Sequence, residues 1–133
     1  MSYVAVVDDE EQVRKALTRL LLASGLDAES YACGKDFLGG IAKRTPDCVL
    51  LDLHMPGMTG LDVLHELRRS RRALPAVVIT AHNEPETRDE CLAAGAVAYL
   101  CKPLDDRVLL NTISATLGRA GGGHATTGSP LER

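Results

Sequence analysis

Two kinds of segment alternate along this 133-residue chain. The first is a short, unbroken apolar run: Val4–Val7, Cys48–Leu51, Ala76–Ile79 and Ala98–Cys101, with a weaker fifth candidate over Ala28–Ala32. An unbroken run is how a strand reads when both of its faces are covered, as in a parallel sheet. The second kind has helical spacing. Val13, Leu17, Leu20, Leu21 and Ser24 fall on one helical face, and Gly25 follows where a helix would end. Further helices are predicted over Asp36–Lys43, around Leu61, Leu64 and Leu67, over Glu86–Ala94 up to Gly95, and along Leu109, Ile113 and Leu117 up to Gly118. The order is βαβαβαβαβα. Strands alternating with helices imply parallel pairing and right-handed crossovers, so the predicted class is α/β: a doubly wound, five-stranded parallel sheet with helices on both faces.

Charge interrupts the apolar runs at their carboxyl ends. The first ends in Asp8-Asp9, followed by Glu10-Glu11, the third in Asp52, the fourth in Thr80 and the fifth in Lys102-Pro103. A parallel sheet brings these ends to one edge, where ligands bind at the point of strand-order reversal. In a sheet of order 2-1-3-4-5 that point lies between strands one and three, so Asp8, Asp9 and Asp52 are expected to converge. Taken singly, each residue has an ordinary explanation: Asp9 a helix cap, Thr80 a satisfied strand end, Lys102 a solvated cation. Taken together they do not. Three carboxylates within about 4 Å repel by a few kcal/mol per pair at an effective dielectric of about 20, a cost that a hard divalent cation removes. Mg²⁺ takes oxygen ligands and few carboxylates, and a main-chain carbonyl just after Asp52 would add another. Thr80 and Lys102 would complete a setting for an oxyanion beside Asp52, and a carboxylate is a competent nucleophile toward phosphorus.

Composition narrows the alternatives. Hydrophobic residues make up 45% and charged residues 25%, the balance of one soluble globular domain. The net charge is −3, and there is no Trp, one Phe and three Tyr. Neither a polyanion-binding field nor a base-stacking platform is indicated, and the basic stretch Arg68–Arg72 reads as cations complementing a helix C-terminus. No apolar run approaches the roughly 18 residues of a membrane span, and no leader pattern opens the chain, so a cytoplasmic location and no membrane partner are expected. Cys33, Cys48, Cys91 and Cys101 lack metal or redox spacing and are expected to be free thiols, with Cys48 and Cys101 acting as core hydrophobes. From Gly121 the periodicity stops. The expected organisation is one domain over 1–120 and a flexible tail over 121–133.

The motifs Val-Val-Asp-Asp (6–9), Leu-Leu-Asp-Leu-His-Met-Pro-Gly-Met-Thr-Gly (50–60), Val-Ile-Thr-Ala (78–81) and Tyr-Leu-Cys-Lys-Pro (99–103), in this order and at strand ends, resemble the response-regulator receiver domain of two-component signalling. The stretch Val7–Gly25, with Val13-Arg14 and Leu20-Leu21-Leu22, looks most like the FixJ-type subgroup. The resemblance implies the flavodoxin-like (βα)5 receiver fold and a phosphorylation-dependent switch. By the same resemblance, Asp52 is the phospho-acceptor, and Asp8, Asp9, Asp52 and the main-chain carbonyl of His54 hold Mg²⁺, with Mn²⁺ as a substitute. Thr80 and Lys102 engage phosphoryl oxygens. Lys102-Pro103 is a cis peptide, Ala81 is a small position beside the phosphate, and Gly60 matches the loop glycine. Thr80 moving inward lets Tyr99 swing from surface to interior, which changes the face made by the fourth helix, fifth strand and fifth helix.

The implied partners are a sensor histidine kinase or phosphotransfer protein and, through that face, a second copy in a homodimer. The chain itself is not expected to bind nucleic acid. His54 and His82, each two residues past a site residue, are candidates for tuning the lifetime of the acyl phosphate. The reading is of self-phosphorylation and autodephosphorylation without turnover of an external substrate. A Mg²⁺-dependent phosphatase is the enzyme alternative, but it usually needs an acid where His54 stands. A nucleotide or flavin module would need a Gly-rich phosphate cradle in place of carboxylates. FixJ-type regulators usually carry a DNA-binding domain, which residues 121–133 are too few to form, so the chain is either a stand-alone receiver or one cut from a longer regulator.

Overall fold

A computed structural model describes residues 2–122. Its elements are β1 (Tyr3–Val7), α1 (Glu11–Ala23), β2 (Asp27–Tyr31), α2 (Gly34–Ile41), β3 (Cys48–Asp52), α3 (Gly60–Arg69), β4 (Ala76–Thr80), α4 (Pro85–Ala93), β5 (Ala98–Cys101) and α5 (Asp106–Gly122). The five strands form one parallel sheet in the order β2-β1-β3-β4-β5. This is the doubly wound arrangement that the alternating pattern predicts.

Unbroken apolar runs follow from burial on two sides. Val4, Val6, Leu50, Val77 and Ile79 point to one face and pack with Leu17 and Leu21 of α1 and Leu109 and Ile113 of α5. Ala5, Val7, Val49, Leu51 and Val78 point to the other, against Phe37 of α2, Val63 and Leu67 of α3 and Cys91 of α4. Successive residues on a strand alternate faces, so every position on a central strand must be apolar. Edge strand β2 buries none of its five residues fully. That is why its sequence, Asp-Ala-Glu-Ser-Tyr, gives only a weak strand signal.

The structure shifts several predicted boundaries. β2 begins at Asp27, one residue early, and α2 begins at Gly34 and ends at Ile41, two residues early at each end. Gly34 needs its missing side chain there: a Cβ would lie 2.7 Å from Val63 Cγ2. Gly118 does not end α5, which continues to Gly122, into the stretch expected as tail. A helical glycine costs about 1 kcal/mol relative to alanine but does not by itself stop a helix. By contrast Gly25 and Gly95, which follow α1 and α4, have φ of 85° and 112° and do end their helices. The remainder of the predicted tail, 123–133, lies outside the described residues. All four cysteines are free, but Cys101 on edge strand β5 is only half-buried and Cys91 is the second fully buried thiol beside Cys48. Among the described residues no helix is long and apolar enough to cross a membrane.

The loop after β3 is anchored where it matters for the site. Thr59 and Asp62 form a reciprocal capping box at the start of α3. Gly60 donates its N–H to the Leu53 carbonyl at 2.9 Å. A Cβ on Gly60 would sit 2.5 Å from the Asp52 carbonyl oxygen, so glycine alone lets α3 start this close to the end of β3.

Candidate functional site

β1 and β3 are neighbours in the sheet, but their following helices leave to opposite faces: α1 to one, α3 to the other. The crevice this opens lies beyond the carboxyl ends of both strands. Asp52 is the last residue of β3, and Asp8 directly follows β1. Asp8 still donates its N–H to the Tyr31 carbonyl at 3.1 Å, so it is held as firmly as a strand residue. One carboxylate oxygen each from Asp8, Asp9 and Asp52 lies within 4.8 Å of the others. Asp8 and Asp52 are buried and Asp9 is exposed.

Asp9 does not cap α1. The N-cap residue is Glu10, which makes no side-chain cap, and its N–H is taken by Asp8 Oδ1 at 2.9 Å. The guanidinium of Arg14 donates to the Asp8 carbonyl at 2.7 Å and fixes the turn from the other side. Asp8 is thereby aimed inward, while Asp9 is left toward solvent.

Lys102 follows β5, and its N–H binds the Thr80 carbonyl at 2.7 Å. Its ammonium reaches across the sheet end to three carboxylates: Asp8 Oδ2 at 3.1 Å, Glu10 Oε1 at 3.5 Å and Asp52 Oδ1 at 3.7 Å. The side chain is only 18% exposed. The Lys102–Pro103 peptide is cis. Burial alone pulls the ammonium toward neutrality, but the hydrogen bond it donates to Asp8 and the charges of Asp52, Asp8 and Glu10 outweigh it, and the net shift is upward. Lys102 therefore stays a cation.

The Asp52 carboxyl is pushed up from its ordinary value to about 7. Burial is the largest cause and the Asp8 charge comes next; Lys102 pulls the other way without cancelling them, and Asp9 adds to the rise. Two carboxylates whose nearest ligand oxygens lie within 4.8 Å repel by at least roughly 3 kcal/mol at an effective dielectric of about 20. The cluster thus holds more negative charge than one lysine balances. Its donor set is all oxygen, which suits Mg²⁺ or Mn²⁺ over a softer ion.

Thr80 ends β4 with no exposed surface, and its hydroxyl accepts the His82 N–H at 3.0 Å. The Tyr99 hydroxyl donates to the His82 carbonyl at 3.1 Å, while its ring packs partly on the core. His82 is therefore a main-chain link between Thr80 and Tyr99. Ala81 is exposed beside it. The imidazoles of His54 and His82, both exposed, meet edge to face with centroids 4.7 Å apart and planes at 82°.

Two features escaped the sequence reading. Glu10 is a third acid on Lys102, and the run of four acids from Asp8 to Glu11 was its signal. The His54–His82 contact is the other. Both residues lie two positions past the ends of β3 and β4, which pair in parallel, so their equal offset places them side by side.

A family model described as the response regulator receiver domain matches residues 4–114. The transcriptional regulator NtrC of Salmonella typhimurium is 37% identical over 102 residues, which cover 77% of this chain and 22% of NtrC. FixJ of Azorhizobium caulinodans is 33% identical over 117 residues, 88% of this chain and 56% of FixJ. The chain thus spans about a fifth to about half the length of these relatives. A response regulator receiver protein from Burkholderia phymatum superposes with a TM-score of 0.78 at 39% identity, covering 98% of this chain and all of that one.

Asp52 makes stability depend on pH. Between about pH 4, where an unfolded aspartate titrates, and pH 7, the folded chain retains a proton that the unfolded chain has released. Stability contributed by this group is full below that window and falls as pH rises through it. In EDTA, Asp52→Asn is therefore expected to melt on the order of 5 °C above the parent at pH 8, with the difference vanishing toward pH 4. Thermal scans across pH check this, and a pH-independent difference contradicts it.

Proposed function

The chain belongs to the receiver-domain family of two-component response regulators, and from that membership we propose that it is a switch driven by transfer of a phosphoryl group to Asp52. The observation that carries the reading is a buried strand-end carboxylate set among two further carboxylates and a lysine, Asp8, Asp9 and Lys102. A carboxylate oxygen of Asp52 attacks the phosphorus of a phosphohistidine on a kinase or phosphotransfer partner. A P–O bond forms, the P–N bond breaks, and the donor imidazole leaves. The carboxyl groups of Asp8, Asp9 and Asp52, with the His54 main-chain carbonyl, would hold Mg²⁺. When bound, the ion supplies positive charge to the phosphoryl oxygens and offsets the excess that raises Asp52.

Lys102 is already inside the charge cluster and needs only to exchange a carboxylate partner for a phosphoryl oxygen. Thr80 must give up the His82 N–H to donate its hydroxyl to another. That exchange loosens the loop whose carbonyl holds Tyr99, so the ring is free to turn inward and alter the α4–β5–α5 face. An output partner, a linked domain or a second copy would read this face. His54 and His82 together shield the approach of water to the acyl phosphate and set its lifetime.

Incubation with acetyl phosphate and Mg²⁺, followed by intact mass, tests the reading. The parent gains one phosphoryl group, Asp52→Asn gains none, EDTA prevents the gain, and Asp9→Asn needs more Mg²⁺. After the donor is removed, the phosphoryl group decays at a different rate in His54→Ala or His82→Ala than in the parent. Labelling of Asp52→Asn equal to the parent overturns the acceptor assignment, and equal lifetimes overturn the shielding role.

A further inference from the structure

At the end of the sheet opposite Asp52, the C-termini of α3 and α4 and the entry to β4 border an open groove of about 320 Å³. Leu64, Leu67 and Leu74 line it as buried side chains, and the exposed Arg68, Arg71 and Arg72 form its rim. Among the described residues these three guanidiniums have no ion-pair or hydrogen-bond partner, whereas the intervening Arg69 is paired with Glu66 at 2.6 Å. Arg68 and Arg69 already place cations in the last turn of α3. Complementing the helix end does not call for Arg71 and Arg72 as well.

The backbone adds an independent observation. α1, α3 and α4 all end in the same turn. The residue after the cap donates to a carbonyl three back, and the next residue donates to one five back: Gly25 and Leu26, Arg71 and Arg72, Gly95 and Ala96. Two of these helices use glycine at the left-handed position. α3 uses Arg71, the one non-glycine residue with positive φ (58°) among the described residues. A side chain there is conformationally costly, and held strain of this kind points to function. The guanidinium is what glycine would lack.

We propose that this rim and floor dock an acidic segment of a protein partner, with an apolar side chain entering onto the leucines and flanking carboxylates pairing with Arg68, Arg71 and Arg72. Guanidinium forks match carboxylates, and the aliphatic floor fits a leucine-like side chain. A nucleic acid is the poorer occupant: the groove has no aromatic lining for base stacking. The site is separate from the Asp52 cluster and does not depend on the phosphorylation reading.

The test is fluorescence anisotropy with a fluorescein-labelled peptide of about ten residues, a central leucine flanked by glutamates, whose length follows from the groove and its rim. Saturable, salt-sensitive binding is expected, and it weakens when glycine replaces the leucine. Arg68→Gln/Arg72→Gln is expected to weaken binding roughly tenfold with an unchanged melting temperature. Arg71→Gly is the sharper variant: it relieves the left-handed strain, so the melting temperature rises while binding weakens roughly fivefold. A rise in melting temperature with unchanged binding, a parent that ignores the peptide, or a single-stranded oligonucleotide of equal charge that binds more tightly each overturns the proposal.

Discussion

Like charges that would separate in solution are held together by the ends of a parallel sheet. Asp8 directly follows β1 and Asp52 ends β3, adjacent strands whose ladder runs up to Val7 and Leu51, so the two carboxylates are presented side by side. Lys102 enters from β5, two strands beyond β3, and comes within 3.1 Å of Asp8 and 3.7 Å of Asp52. The site's chemistry follows from this forced proximity. Asp52 is raised toward neutrality because burial and Asp8 outweigh the one lysine. The deficit of positive charge is what the proposed divalent cation would offset.

The rest of the fold serves this arrangement. The core on both faces makes the central strands rigid, so the strand ends keep their separation. Gly60 lets α3 begin against the backbone of Asp52 and Leu53, and the capping box of Thr59 and Asp62 fixes where that helix starts. On the neighbouring strand, the Thr80 hydroxyl is engaged with the His82 N–H, and the His82 carbonyl is engaged by Tyr99. One main-chain unit, at His82, thus joins the Thr80 hydroxyl to the Tyr99 side chain.

Much of this was legible in the sequence, because double burial and strand-end polarity both leave local marks. Val4–Val7 and Cys48–Leu51 read as strands buried on both faces because no position on them can be polar, and Asp8, Asp52, Thr80 and Lys102 stood out as the first polar residues after such runs. What escaped has equally physical reasons. β2 is an edge strand, so its pattern is half polar and its bounds shifted. Gly118 looked like a helix stop, but a glycine ends a helix only where the chain turns into positive φ, as at Gly25 and Gly95. Cys101 was misplaced in the core because its apolar run lies on the other edge strand. Glu10 at Lys102 and the His54–His82 pair depend on loop geometry and on strand register, neither of which a single residue announces. Arg71 carried no local signal either: only the conformation of its turn separates it from the arginines beside it.

The central claim is electrostatic: Asp52 is held near neutrality by burial and by Asp8, and a divalent cation releases it. Carbon-13 NMR of the aspartate carboxyls, titrated with and without Mg²⁺, measures this directly. The account predicts that Asp52 titrates near pH 7 in EDTA and moves well below that in millimolar Mg²⁺. A midpoint at the ordinary aspartate value of about 4, unmoved by the ion, would contradict it.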